Sequence, residues 1–182
     1  DIRENPSELF GIQSWLALPQ KDEETTPDFK HTEKSELPLL ESTGLKARLI
    51  MGKYGGRTAP VQTFSETLYL DIELETGQTV EPPKETEERA IYAINGQLEI
   101  GGISYEPNRL LIFRPGDSIA VKALKNTRFM LLGGATMDGS RHIWWNFVSS
   151  SKDRIEQAKN DWLNGKFPNV LGNKEFIPLP EN

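Results

Sequence analysis

Between positions 67 and 74 the chain alternates: Leu68, Leu70, Ile72 and Leu74 are aliphatic, with Thr67, Tyr69, Asp71 and Glu73 in between. Successive strand side chains point to opposite faces, so this period of two predicts a half-buried strand with the four aliphatic residues inward. Short apolar or alternating runs of the same kind recur at 45–54, 89–94, 97–100, 103–106, 108–113, 118–124 and 128–134. Turn residues separate them. Asn95-Gly96 reads as a hairpin, because both residues tolerate the positive φ of a type I′ turn. Gly101-Gly102 offers a second tight turn and Pro115-Gly116-Asp117 a third, while Lys125-Asn126-Thr127 joins the last two runs. Many short strands with closely spaced turns predict an all-β sandwich or barrel.

The two ends read differently. Residues 9–18 place Phe10, Ile12, Leu16 and Leu18 on one face, with Gln13 and Trp15 on the other, which predicts a strand. Residues 19–44 are charged and broken by Pro19, Pro27 and Pro38, and read as a linker that contains His31. Residues 142–148 read as one strand, with His142, Trp144 and Asn146 on one face and Ile143, Trp145 and Phe147 on the other. Ser150 or Ser151 can then cap a helix, with Asp153 near the positive end of its dipole. Ile155, Ala158, Trp162 and Leu163 share a helical face, Asn164-Gly165 ends it, and Pro168 forbids its resumption. The expectation is a helix at about 151–163 packed on the β-domain, with Trp162 largely buried, followed by an extended tail.

Composition narrows the function classes. The 182 residues include no cysteine, which excludes disulfides, iron–sulfur clusters and thiolate zinc sites. A net charge of −6 and a pI near 5.1 disfavour direct binding to nucleic acid through its phosphates. No apolar run approaches a membrane span and no signal-peptide pattern opens the chain, so a cytoplasmic protein is expected. The chain starts at Asp1 and its first methionine is Met51, so a fragment or processed form is expected.

Candidate chemistry is sparse. A facial-triad iron site needs at least two histidines and a carboxylate. The chain has only His31, in the charged stretch, and His142. His142 has two readings: a hydrogen-bonded histidine at a strand start, or a polar grip with Arg141 at the mouth of a β-pocket. The run at 51–60 lacks the Gly-Lys-Ser/Thr ending of a phosphate loop and reads as a turn between strands. No G-x-S-x-G is present for a serine nucleophile. The acidic stretch 81–89 reads as a solvated loop, with Glu85 where a pocket could open.

The segments "TLYLDIELETGQTVEPP", "AIYAINGQLEIGG", "RFMLLGG" and "RHIWWNFVSSSKDRIEQAKNDWLNGKFP" together resemble the C-terminal half of bacterial pirins. The segment "FGIQSWLALPQ" resembles the stretch that follows their metal-binding half. Pirins are bicupins, with two antiparallel β-barrels in one chain. The resemblance implies a cupin-type antiparallel β-barrel (jelly roll) with one short C-terminal α-helix. It assigns 1–18 to a strand of a missing N-terminal cupin, 19–44 to a linker and 45–182 to a C-terminal cupin domain.

In that family the metal, usually iron, is held by the N-terminal barrel, and the attributed activity is quercetin 2,3-dioxygenase chemistry. The general cupin pattern of ligands, laid on Gly77 and Gly96, puts Pro83, Glu85 and Arg89 where two histidines and a glutamate belong. The later histidine falls on Ile119. This domain is therefore expected to bind no metal and to have no catalytic residue of its own. It would support a metal-binding N-terminal cupin and offer an interaction surface, with Arg141, His142, Trp144 and Glu85 as pocket or interface candidates. Iron is expected only in the full-length parent, which under the alternative reading is a dioxygenase. The expected partners are the missing N-terminal cupin and a second copy of the chain, through exchange of the 9–18 strand.

Overall fold

A computed structural model describes residues 10–168, Gly172 and residues 175–180. These residues divide into two units. The larger runs from Glu24 to Asp138. The smaller combines the chain up to Glu23 with the chain from Gly139 onward.

The larger unit contains strands β1 (Leu39–Ser42), β2 (Leu45–Met51), β3 (Lys53–Tyr54), β4 (Arg57–Thr58), β5 (Thr67–Leu74), β6 (Thr79–Val80) and β7 (Glu88–Asn95). After these come β8 (Leu98–Ile100), β9 (Ile103–Tyr105), β10 (Arg109–Phe113), β11 (Val121–Ala123) and β12 (Thr127–Gly134). One antiparallel sheet has the order β1-β2-β5-β12-β7-β10 and another the order β6-β11-β8-β9, while β3 and β4 form a hairpin. The alternation that predicts β5 is realised: Leu68, Leu70, Ile72 and Leu74 are all buried. They join Leu49, Ile91, Phe129 and Leu131 of their own sheet, and Val80, Leu98, Val121 and Ala123 of the other, in one core.

The expected closed jelly-roll barrel is not formed. Both sheets are open, with edges at β1 and β10 in one and at β6 and β9 in the other. Closure would need the ladder to run on from one sheet into the other. The second sheet is too short for that, with strands of two or three residues. Proline also removes backbone donors at Pro82, Pro107 and Pro115, beside β6, β9 and β10. The mostly-β composition with one helix stands; the barrel does not.

Asn95-Gly96 does not close a hairpin either. β7 and β8 lie in different sheets, so this turn is a corner between them. Gly96 has φ +77°, and a Cβ there would collide with the Thr127 hydroxyl and the Asn126 carbonyl. Gln97 N–H donates to the Thr127 hydroxyl at 3.0 Å, which ties the corner to the start of β12. By contrast, Gly101-Gly102 does close the β8–β9 hairpin, with Ile100 opposite Ile103. Gly52, at φ +87°, breaks the run 45–54 into β2 and β3, and the register of β2 against β5 shifts between Leu49 and Met51.

In the smaller unit, residues 142–148 are not one strand. β13 (His142–Trp144) and β14 (Phe147–Ser149) pair as a hairpin around Trp145-Asn146. Trp145 takes φ +49°, a strained value for a bulky residue. The reversal cancels the simple two-face alternation read from the sequence. Helix α1 (Lys152–Leu163) is capped by Ser151, whose hydroxyl accepts from Arg154 N–H at 3.3 Å. Gly165 follows it at φ +64°. Residues 10–18 carry no strand in this chain, and residues 1–9 of the segment assigned to a missing cupin lie outside the described residues. A strand needs a ladder partner, and alternation alone supplies none. Phe10, Ile12, Trp15 and Leu16 remain exposed. Within the stretch read as a linker, residues 20–22 form one turn of 3₁₀ helix and Leu39–Ser42 is the edge strand β1.

Candidate functional site: a buried ion pair and an interior arginine

The most polar knot of the smaller unit joins two chain segments far apart in sequence. Arg141, just before β13, has a side chain only 7 % exposed. Its Nε lies 2.7 Å from a carboxylate oxygen of Glu23, itself 13 % exposed. Another guanidinium nitrogen donates to the Leu18 carbonyl at 2.8 Å, and the third to Gly139 at 2.9 Å. On the other side, Glu23 accepts from the Ser150 amide at 3.0 Å, the Ser150 hydroxyl at 2.9 Å and the Ser149 hydroxyl at 3.2 Å. Burial pushes the Glu23 carboxyl up. The Ser150 and Ser149 hydrogen bonds and the Arg141 charge outweigh it, so the net shift is below the ordinary 4.5. A buried carboxylate held by three hydrogen-bond donors and an arginine charge is a structural clasp that keeps its charge.

This pair lines a cavity of about 320 Å³ whose other walls are Trp15, Leu16, Leu18, Ile143 and Val148. Trp15, Leu16, Ile143 and Val148 are exposed, so the rim is apolar and open. Behind β14, Phe147, Ile155 and Ala158 form a second small core. Trp162 is half-buried there rather than largely buried. Its ring centroid lies 5.2 Å from that of Trp145 and 5.5 Å from that of Phe167, and its indole N–H donates to the Ile177 carbonyl at 2.9 Å. Trp144 stacks on Phe147 and carries the Lys159 ammonium 4.2 Å above its ring.

The four candidate residues therefore have different surroundings. Arg141 is engaged by Glu23. His142 is half-buried and faces Ser149 across the hairpin. Trp144 belongs to the aromatic cluster. Glu85 is exposed and belongs to the larger unit, where burial first and the Glu85 charge second push the Tyr54 phenol up. Sequence reasoning missed Glu23, because it sits in an acidic stretch with no periodicity to distinguish it from its neighbours.

It also missed the setting of Arg89. This residue lies on β7 between Phe113 of β10 and Gly133 of β12, and shares the inward face with Ile91 and Ala93. It is 2 % exposed, among the largest fully buried side chains. Ile119 is buried as well, Pro83 half-buried and Glu85 exposed. The four positions that the cupin pattern gives to ligands thus hold a cation, an aliphatic side chain, a proline and one solvent-facing carboxylate. This donor set does not fit a divalent metal, and a guanidinium would repel one. Among the described residues no group of three or more His, Cys, Asp or Glu side chains could hold a metal ion.

Comparison with known proteins agrees with this geometry. Residues 69–168 match the family described as the pirin C-terminal cupin domain. The chain is 47 % identical to a pirin-like protein of Caulobacter vibrioides over 99 % of its own length and 63 % of that protein's. It is 31 % identical to a Pseudomonas aeruginosa protein provisionally named a quercetin 2,3-dioxygenase, over 84 % of this chain and 49 % of that protein. A crystal structure of quercetin 2,3-dioxygenase from Acinetobacter baumannii superimposes with a TM-score of 0.81 at 24 % identity, covering 92 % of this chain and 57 % of that one. That likeness concerns the fold. The chain thus spans about half to two-thirds of the length of these relatives. The resemblance first carried by the run from Arg141 to Pro168 therefore holds across the domain: this chain belongs to the pirin family, in which it corresponds to the C-terminal cupin domain.

Proposed function

We propose that this domain performs no reaction itself and serves a longer pirin-like protein as a scaffold and docking module. The observation that carries the reading is the replacement of the ligand positions by Pro83, Arg89 and Ile119, with Arg89 buried among them. The neighbouring portion of the parent would then hold the iron in its own cupin. The provisional name of the Pseudomonas relative supports a parent with quercetin 2,3-dioxygenase-type activity. The apolar rim of Trp15, Leu16, Ile143 and Val148 beside Arg141 supports an interaction surface in the smaller unit. Its occupant under this reading is the preceding part of the parent, with His142 and Trp144 supporting the hairpin that carries Ile143. In the isolated chain the same rim would favour pairing of two copies. Among the described residues no helix is long and apolar enough to cross a membrane, and the proposed setting is the cytoplasm.

The test is metal analysis and quercetin-dependent oxygen uptake on this chain and on the longer natural protein, side by side. The reading expects stoichiometric iron and turnover only in the longer protein. Stoichiometric metal, or oxygen uptake, in this chain alone would refute it.

A further inference from the structure

Among the described residues two arginine side chains are buried, and they differ in counter-charge. Arg141 has a carboxylate at 2.7 Å. Arg89 has none within ion-pairing distance among the described residues. Its hydrogen bonds run from one terminal nitrogen to the Asp117 carbonyl at 2.9 Å and the Arg114 carbonyl at 3.5 Å. Its Nε and its other terminal nitrogen are buried with no acceptor. A guanidinium does not neutralise by losing its proton. Burying its charge without a counter-charge is among the most costly arrangements a core can hold.

The chain packs closely around this side chain. Gly133 stands opposite Arg89 on β12, and a Cβ on Gly133 would lie 2.7 Å from Thr86, 2.6 Å from the Glu88 carbonyl and 3.6 Å from Arg89 Cγ. Glycine at that position therefore leaves room for the Glu88 carbonyl and the Thr86 methyl group, with the Arg89 stem at ordinary contact distance. The guanidinium is anchored to the turn 114–117, whose residues are exposed, so its head lies just beneath the surface at that end of the sheet.

We propose that Arg89 is the receptor of an interior site for a small oxyanion, of carboxylate or phosphate type. It occupies the position that the cupin pattern gives to a metal-ligating glutamate. The charge logic of the fold is inverted there: the protein supplies the cation and the ligand supplies the anionic oxygens. The two nitrogens without acceptors lie on different edges of the guanidinium, so each is a separate charged donor that an anionic oxygen would satisfy. The burial of the guanidinium limits the ligand to a small molecule. This inference goes beyond the scaffold role and does not depend on any activity of the parent.

The experiment uses the whole chain. Acetate, oxalate and inorganic phosphate are titrated separately at matched ionic strength, with chloride as reference. Calorimetry reads the affinity, and the side-chain Nε–H resonance of Arg89 in ¹⁵N-labelled protein reads the location. The expected result is saturable one-site binding of at least one probe at millimolar concentration or below, with the Arg89 resonance moving in step. Which probe binds separates the carboxylate source from the phosphate source. Arg89→Met should weaken that binding by at least about tenfold, Arg89→Lys by less, and exposed Arg57→Met should leave it unchanged. If no probe moves the Arg89 resonance in the wild-type chain, the proposal is overturned without recourse to a variant. Binding of equal strength in Arg89→Met overturns it equally.

Discussion

Replacing Glu23 by glutamine tests whether the smaller unit is held by its ion pair or only by its aromatic core. The amide keeps the shape of the side chain but not the charge, and it offers one acceptor oxygen where the carboxylate offered two. Arg141 lies on one side and the Ser149 and Ser150 donors on the other. With its N–H₂ toward Arg141 the amide faces a cation; turned the other way it meets the Ser149 and Ser150 hydroxyls, which can rotate to accept, and the Ser150 amide, which cannot. Removing one partner of a buried pair costs about 3–5 kcal/mol, and charge-assisted hydrogen bonds contribute about 1.5–3 kcal/mol each. We take about 3 kcal/mol, because both side chains keep a little contact with water. The assay is built into the chain. Its four tryptophans, Trp15, Trp144, Trp145 and Trp162, all belong to the smaller unit, so tryptophan fluorescence in urea follows that unit alone. With an m-value of about 1 kcal/mol/M, the midpoint should fall by about 3 M. Arg141→Met and the double variant complete a cycle in which the two losses should overlap by about 2 kcal/mol. A loss under about 1 kcal/mol, as at a surface pair, or full additivity in the cycle, refutes the clasp.

The pH dependence follows from the same residue. Folding lowers the Glu23 pKa below 4.5, so its contribution is fully present above that value and is lost as pH falls through the folded pKa. The fluorescence midpoint of the wild type should therefore drop below about pH 4.5, the usual carboxylate range, and the part of that drop due to Glu23 should vanish in Glu23→Gln. Trp162→Ala should cost about 2–4 kcal/mol by the same readout, since the ring is half-buried but touches Trp145, Phe147, Phe167 and Phe176. Ser151→Ala should lose about 1 kcal/mol with its cap, and Ser151→Asp should retain most of it. Gly96→Ala should destabilise the larger unit by more than about 2 kcal/mol, because the left-handed φ and the contact with the Asn126 carbonyl are both unfavourable to a methyl group. Hydrogen exchange in β7, β8 and β12 would report that loss; unchanged protection there would contradict the corner assignment.

What the sequence made legible depended on how local each signal was. The four inward leucine and isoleucine side chains of β5 and the Ser151 cap of α1 are set by neighbours within a few residues, and both were readable. Pairing is not local. Asn95-Gly96 has the residues of a hairpin turn, yet it turns the chain between sheets, because β12 is inserted beside β7 and takes the place that β8 would have had. Residues 10–18 have the alternation of a strand, but alternation names a face and not a partner. In residues 142–148 the reversal at Trp145-Asn146 uses a positive φ at a tryptophan, which no propensity rule anticipates. The Glu23–Arg141 pair spans the whole larger unit in sequence, so nothing near either residue announces the other. Arg141 was readable as a candidate; its engagement was not.

Arg89 shows how much a pattern of departures can say. The motif comparison identified it only as a residue that cannot hold a metal. The structure adds that the side chain is buried on the inward face of β7, with its head fixed at the 114–117 turn. If the position had lost its role altogether, an aliphatic residue would serve the core better, since replacing buried charges by well-packed apolar groups is often stabilising. A buried cation with open donors is the opposite choice. Arg89→Met should therefore raise the midpoint of the larger unit in anion-free buffer and remove any stabilisation by the bound oxyanion. That crossover separates a binding residue, whose cost is recovered on ligation, from a structural one, whose loss would lower stability in both buffers.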